Sequence, residues 1–254
     1  MRPSLRPDWL LPDWDAPGVG AVMTTRAGGF SAAPFDSMNV RAEVGDDPAA
    51  VARNQALLAA AMAATPVYLN QVHSARVVRL TEADALPGAA LHEADACVST
   101  LPGIACTAQV ADCLPVLFAA PGAVAAAHAG WRGLAAGVLE AALVALCEAA
   151  RCEPAQVRAW LGACIGPARF EVGADVLRAF GAGGHASDPA RFLPHAPGKW
   201  LANLPRLARD RLERQGVRAI SGGQWCTVED ASRFFSFRRD RVTGRMVAAV
   251  WLLG

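Results

Sequence analysis

The sequence predicts an α/β protein, a single domain over residues 1–254 built around a mixed sheet. Short apolar runs of strand length alternate with longer Ala- and Leu-rich stretches of helical length. Pro, Gly and Asp punctuate the changes from one to the other. The residues with most chemical capability, His73, Cys113 and His128, come from distant segments, each at the end of a strand-like run. Ends of strands are where α/β proteins place reactive groups, so one folded unit is needed to gather the three.

The elements follow in order. Residues 1–20, rich in Pro, Trp and Asp, read as a surface wrap before a strand at Gly20–Thr25. The loop RAGGFSAAPFDSMNV follows, and Gly28–Gly29 there permits close backbone approach. DDPAAVARNQALLAAAMA reads as a helix capped by Asp46 or Asp47, with Pro48 in its first turn. VYLNQVH, ARVVRL, DACVST, IACTAQVA and PVLFAA are five short strands. Pro121–Gly122 turns the chain into AVAAAHA, which passes through GWRG into the helix LAAGVLEAALVALCEAA. Glu153–Pro154 opens a short helix before the strand-like AWLGACIG. EVGADVLRAF and KWLANLPRLARDRLERQG read as helices, the second stopped by Gly216. RFFSFRRDRVTGRMVAAVWLL reads as a hairpin turning at Thr243–Gly244.

Composition narrows the function. Apolar residues make up 53% of the chain, enough for a large core. With 24 basic and 23 acidic residues the net charge is +1, which argues against a nucleic-acid partner. No apolar run reaches the ~18 residues that span a bilayer, so no membrane partner is expected. The N-terminus lacks a secretory h-region, and the seven cysteines form no CxxC or short disulfide framework. A reducing cytoplasmic location with free thiols is the expectation. Charge and apolar content fit a monomer and a homodimer equally.

Two imidazoles and one thiolate suit a borderline-soft metal such as zinc, and three protein ligands leave one position open. HAGWRG delivers His128 from a strand and starts a helix at once, and free amides there favour an anion. Arg132 adds a fork of donors suited to phosphate or carboxylate. In ADCLP, Asp112 is placed to orient a ligand histidine, and Cys113 is either a metal ligand or a thiolate nucleophile beside His128. Arg26, Gly28, Gly29 and Ser31 form a second candidate anion cradle, and Glu171 in IGPARFEVG is a carboxylate near a helix start. The basic cluster Arg233, Arg238, Arg239, Arg241 and Arg245 reads as a solvated hairpin face or as a site for a small anion. His92, His185 and His195 sit in polar or Gly/Pro-rich stretches and read as surface residues. Five histidines with no HxH pair are too few for blue and trinuclear copper sites together, leaving copper at a single Cys/His site as the alternative metal. The HxE and PCxxC signature of zinc deaminases is absent.

TTRAGGFS, LNQVHSA, ADACVST, ADCLPV, HAGWRG, IGPARFEVG and CTVEDASRFFSFRRDRVTGR together resemble the YfiH family, also called laccase-like or peptidoglycan-editing-factor proteins. The matching strings run from about Thr24 to Arg245. Phe237 stands where other members often carry Tyr or His, and Cys97 and Cys164 are outside the motifs. The resemblance implies a three-layer α/β/α fold around a mixed sheet, like that of toxin deamidases. It implies a zinc site at His73, Cys113 and His128. It also implies phosphorolysis of adenosine, inosine and methylthioadenosine, with adenosine deamination beside it. Phosphate would rest against Arg132 and Arg26, with Asp112 and Glu171 as candidates for proton transfer or support. The alternatives are a Cys113–His128 hydrolase or amidase acting on peptidoglycan precursors, a copper-dependent phenol oxidase, and a metal-binding protein without turnover.

Overall fold

A computed structural model describes residues 4–181 and 188–254. The strands are β1 (Val19–Met23), β2 (Thr65–Val67), β3 (Val77–Arg79), β4 (Ala96–Ser99), β5 (Ile104–Val110), β6 (Leu114–Ala120), β7 (Ala123–Ala129), β8 (Arg158–Leu161), β9 (Glu171–Val172), β10 (Phe192–Ala196), β11 (Lys199–Ala202), β12 (Ala219–Gly222) and β13 (Met246–Leu252). The helices are α1 (Pro48–Met62), α2 (Trp131–Ala136), α3 (Val138–Ala150), α4 (Ala174–Ala179), α5 (Leu204–Arg214) and α6 (Phe237–Asp240). Among the described residues no helix is long and apolar enough to cross a membrane.

The mixed α/β class holds, and the sheet between the helices is doubled. One sheet has the order β1-β13-β5-β2 and the other β12-β8-β6-β7-β4-β3. Each mixes parallel and antiparallel pairs: β2 runs parallel to β5, and β6 runs antiparallel to both β7 and β8. The two sheets pack face to face through Cys106, Val110, Leu117, Ala126, Trp160, Met246 and Val250. On the outer face of the larger sheet lie α3 and α5, meeting Leu114, Val116, Phe118 and the odd-numbered alanines of β7. On the outer face of the smaller sheet lies α1, meeting Val22, Val247, Ala249 and Trp251. The strands β5, β6 and β7 are therefore buried on both faces, which is why they read as continuous apolar runs. Alanine dominates β7 because a helix presses on one side and a sheet on the other. A third sheet, β10-β11-β9, is small.

Local chemistry explains the helix boundaries. Asp47 accepts a hydrogen bond from the Ala49 amide and caps α1, with Pro48 next. The expected continuous helix after HAGWRG is broken at Gly137, whose φ of +96° suits glycine and separates α2 from α3. Leu139, Leu143 and Leu146 then bury one side of α3, each contributing about 2 kcal/mol.

Four expectations are corrected. EVGADVLRAF begins as strand β9, and KWLANLPRLARDRLERQG divides into β11 and α5, because Asn203 caps α5 through the Arg206 amide with Pro205 following. RFFSFRRDRVTGRMVAAVWLL is not a hairpin. It holds the short helix α6 and then β13, which lies between β1 and β5 instead of folding back on its own segment. The apolar residues of β13 need two strand neighbours, and the basic stretch before it supplies none. VYLNQVH is strand only to Val67, so His73 stands on a loop.

Candidate functional site

The fold gathers His73, Cys113 and His128 at one end of the larger sheet. Their nearest ligating atoms all lie within 4.8 Å of one another. Cys113 occupies the tight turn between β5 and β6, and His128 sits near the end of the adjacent β7, opposite Pro115. His73 arrives from the loop before β3 and closes the group. Its Nε2 stands 3.7 Å from the Cys113 Sγ, and its ring meets that of His128 edge-on at 4.8 Å between centroids. Burial is graded: His128 is buried, Cys113 half-buried, and His73 exposed. The cluster thus forms the wall of a cavity, not a sealed centre.

Asp95, which leads into β4, organises this wall. It is 1% exposed and its carboxylate is heavily bonded. Oδ1 accepts from the His128 Nδ1 at 2.8 Å and from the His73 amide at 2.9 Å. Oδ2 accepts from the Val72 amide, the Ser74 amide and the Ser74 hydroxyl. These bonds hold the loop while His73 takes a φ of +61°. Such a conformation costs a non-glycine residue on the order of 1–3 kcal/mol and persists only where surroundings enforce it. Sequence reasoning missed Asp95. The available signal was an acid directly before a wholly apolar strand, since a buried carboxylate must find partners.

The electrostatics of the group follow from its packing. Burial pushes the Cys113 thiol up, but the charge of His128 and bonds to His128 and His73 outweigh it and bring it down to about 6. Burial pushes His128 down, but the Cys113 and Asp95 charges and bonds outweigh that and raise it to about 9. Burial opposes ionisation of Asp95 too, yet its bonds to His128 and Ser74 hold it at about 2. Near neutrality the pair is a thiolate beside an imidazolium. With Nδ1 given to Asp95, His128 presents Nε2 to the cavity.

The donor set fits a metal ion. Tetrahedral zinc with ordinary bond lengths places nitrogen and sulfur donors roughly 3.3–3.6 Å apart, close to the Cys113–His73 separation of 3.7 Å. Gly130 leaves the space they need: a Cβ there would stand 2.7 Å from the His73 Cδ2 and 2.9 Å from the Cys113 Sγ.

The cavity has a volume of about 530 Å³. Arg41, Arg132, Arg238 and Arg245 line it together with the apolar faces of Trp131, Phe170 and Phe237. Arg132 stacks on Trp131 at 4.3 Å and makes no ion pair among the described residues. Burial, then the like charge of Arg41, pulls the Arg245 guanidinium below its usual value, against the opposing pull of Cys113 and Asp112. Arg41 also pairs with Glu43 at 3.3 Å on the same cavity wall. Arg41 was missed in the sequence because a single arginine in a polar stretch carries no pattern. The basic cluster divides: Arg238 and Arg245 reach the cavity, whereas Arg239 bonds the Thr227, Val228 and Phe234 carbonyls and Arg233 pairs with Asp230.

Three expected contributors are engaged otherwise than expected. Asp112 lines the cavity but holds no histidine: its Oδ1 accepts from the Thr227 hydroxyl and its Oδ2 from the Arg238 amide, both at 2.6 Å. Those bonds secure its φ of +95° and so aim Cys113. Glu171 is exposed on β9, does not line the cavity, and faces His195 at 3.7 Å. Arg26 is consumed by the Asp36 and Ala231 carbonyls and the Asp36 carboxylate, with Phe235 under its guanidinium. Gly28 accepts from Arg6, the Gly29 amide donates to Ser37, and Ser31 accepts from Asn54, so this loop holds itself together away from the histidines. His92 pairs with Asp84, and His185 lies outside the described residues.

Known proteins resemble this chain along nearly its whole length. The family described as multi-copper polyphenol oxidoreductase laccase matches residues 20–253. A Pseudomonas aeruginosa protein named purine nucleoside phosphorylase is 50% identical over 96% of this chain and 98% of its own. The Escherichia coli purine nucleoside phosphorylase YfiH is 45% identical over 96% of this chain and 98% of its own. A Neisseria meningitidis crystal structure superposes with a TM-score of 0.89 at 44% identity, covering 97% of this chain and 100% of that one. YlmD from Geobacillus stearothermophilus gives a TM-score of 0.86 at 31% identity, covering 94% and 93%. Matches of this depth, end to end, in sequence and in structure, make the chain a member of the YfiH family of laccase-like proteins.

Proposed function

We propose that the protein is a zinc-dependent purine nucleoside phosphorylase with adenosine deaminase activity at the same site. The observation that carries this is a cavity with the His73, Cys113 and His128 donors on one wall and four arginines around them. Relatives named purine nucleoside phosphorylase support the substrate class. Zinc would be held by His73, Cys113 and His128, and when bound it supplies Lewis-acid charge. The cavity volume is within the range of ~300–1,000 Å³ usual for small-molecule sites.

The chain's own residues account for the rest. Arg41 and Arg245 bracket a place for phosphate, whose oxygens match guanidinium donors in pairs. Arg132 and Arg238 extend the same field. An oxygen of monohydrogen phosphate attacks the ribose anomeric carbon, the glycosidic bond breaks, and the departing purine nitrogen takes up the proton that the phosphate gives up, leaving free base and ribose 1-phosphate. Phe170, Phe237 and Trp131 supply apolar faces on which the purine rests, excluding water from the competing hydrolysis. Asp95 keeps His128 oriented throughout. Arg26 takes no part.

A second reading is favoured by the depressed Cys113 thiol beside a charged His128, which is how cysteine hydrolases activate a nucleophile. Acting on peptidoglycan precursors, such an enzyme would work metal-free and be lost to iodoacetamide. Copper-dependent phenol oxidation is a third, for which a single three-ligand cluster among the described residues gives little support.

The test is chromatography of products from adenosine with and without phosphate, for the zinc-loaded protein and His73→Ala. Phosphate-dependent adenine that disappears in the variant supports phosphorolysis here, and inosine formed without phosphate supports deamination. No turnover of adenosine, inosine or methylthioadenosine by the loaded protein overturns the proposal.

A further inference from the structure

Cys147 and Cys152 lie together at the end of α3, far along the chain from the metal ligands and outside their cavity. The helix stops in a left-handed turn: Arg151 has φ +51° and ψ +48°. The Cys152 amide then donates to the Cys147 carbonyl at 3.1 Å, spanning six residues. That bond defines a helix-terminating motif in which the side chain just past the turn rests on the side chain one turn back. An apolar pair usually fills those two positions. Here both are thiols.

Both cysteines are half-buried against the core and line an open surface cavity of about 490 Å³, with Arg151, Glu148 and Glu153 around it. Burial, then the neighbouring Cys152, pushes the Cys147 thiol up to about 11. The remaining cysteines differ. Cys97, Cys106 and Cys164 are sealed in the core, Cys113 lies in the metal-ligand cluster, and Cys226 accepts from the Gly166 amide beside Cys164.

We infer that Cys147 and Cys152 form a site of reversible thiol–disulfide exchange with low-molecular-weight disulfides. The Cys152 thiolate attacks one sulfur of the small disulfide, whose S–S bond breaks and releases one small thiol. The Cys147 thiol then loses its proton and attacks the Cys152 sulfur, releasing the second small thiol. An internal disulfide forms, the two cysteines are oxidised, and the small disulfide is reduced to two thiols. Cys152 stands past the left-handed turn, off the helix, while burial pushes the Cys147 thiol up, so Cys152 opens the exchange. The motif brings the two side chains to the same end of the helix, where Cys152 is near enough to raise the Cys147 thiol. The product staples the last turn of α3.

The test is peptide mapping after exposure to glutathione disulfide at pH 8, followed by iodoacetamide and trypsin. Trypsin cuts after Arg132, Arg151 and Arg158, so the internal disulfide joins peptide 133–151 to peptide 152–158. The expected result is that joined pair as the main oxidised species, reversed by dithiothreitol. Cys147→Ser should instead retain a mixed disulfide on Cys152. Backbone amides 148–152 should exchange hydrogen at least tenfold more slowly in the oxidised protein than in the reduced one. Separate alkylated peptides, or glutathione persisting on Cys152 with Cys147 free in the unaltered protein, would overturn the inference. So would joined peptides without slowed exchange, since the bond would then come from unfolded chains.

Discussion

The Asp95 carboxylate accepts the His128 Nδ1 proton at 2.8 Å while its other bonds clasp the backbone that carries His73. One buried side chain therefore orients two of the three metal-ligand candidates. It directly precedes β4, and its carbonyl accepts from the His128 amide at 2.7 Å, so the pairing of β4 with β7 sets the distance.

Asp95→Asn should loosen the site without removing a ligand. The amide's NH₂ would face donors in place of an acceptor, so zinc affinity should fall about 10–100-fold, as such supporting changes do. A competing chromophoric chelator measures it. Stability should drop by about 3 kcal/mol at neutral pH, because buried donors lose their partner. The folded Asp95 ionises at about 2 against 3.8 for the free group. Its contribution is thus fully present above about pH 4 and fades as pH falls through 2. Denaturant melts of the two proteins should converge at that acid end.

In metal-stripped protein the Cys113 thiolate should persist to acid pH. Iodoacetamide should modify Cys113 with a midpoint near 6, against 9 for an unperturbed thiol. His128→Ala removes the charge that depresses it, so the midpoint should rise by at least one unit. Zinc should block alkylation altogether. A midpoint near 9 in the stripped protein would contradict the ion-pair assignment.

Arg41→Ala should raise KM for phosphate by roughly tenfold to a hundredfold, which corresponds to about 1.5–3 kcal/mol for a hydrogen bond to a charged group. Zinc content should stay unchanged, since Arg41 touches no ligand. Phosphate titrations of adenosine cleavage, paired with metal analysis, read both.

Arg26→Ala should do the reverse. Its guanidinium ties the Asp36 and Ala231 loops, so stability should fall by about 1–2 kcal/mol while kinetic constants at 25 °C remain as in the parent. A large rise in phosphate KM would restore Arg26 to the anion site.

Gly130→Ala should strip zinc without unfolding the chain. The added methyl would press on the His73 ring and the Cys113 sulfur at under 3 Å, and the exposed His73 side chain is the part free to turn away. Metal content by atomic absorption should fall well below one per chain, with melting temperature nearly unchanged in stripped protein.

Much of this was legible in sequence because it depends on near neighbours. The α/β class followed from runs of strand and helix length, the α1 cap from Asp47 before Pro48, and the α2–α3 segment from its Ala and Leu content. His73, Cys113 and His128 stood out by residue type at strand ends, and the structure brings them within reach of one another. What sequence did not decide were the contacts made by partners distant along the chain. That β13 enters between β1 and β5, that Arg26 is spent on its own loops and that Asp112 bonds Thr227 are of this kind. So are the clasp of Asp95 on His128 and the meeting of Arg41 with Arg245. Periodicity and capping act over a few residues, so the chain displays them directly. A buried charge or a strand register is settled by which remote group arrives to satisfy it, and only the folded packing of the two sheets determines that.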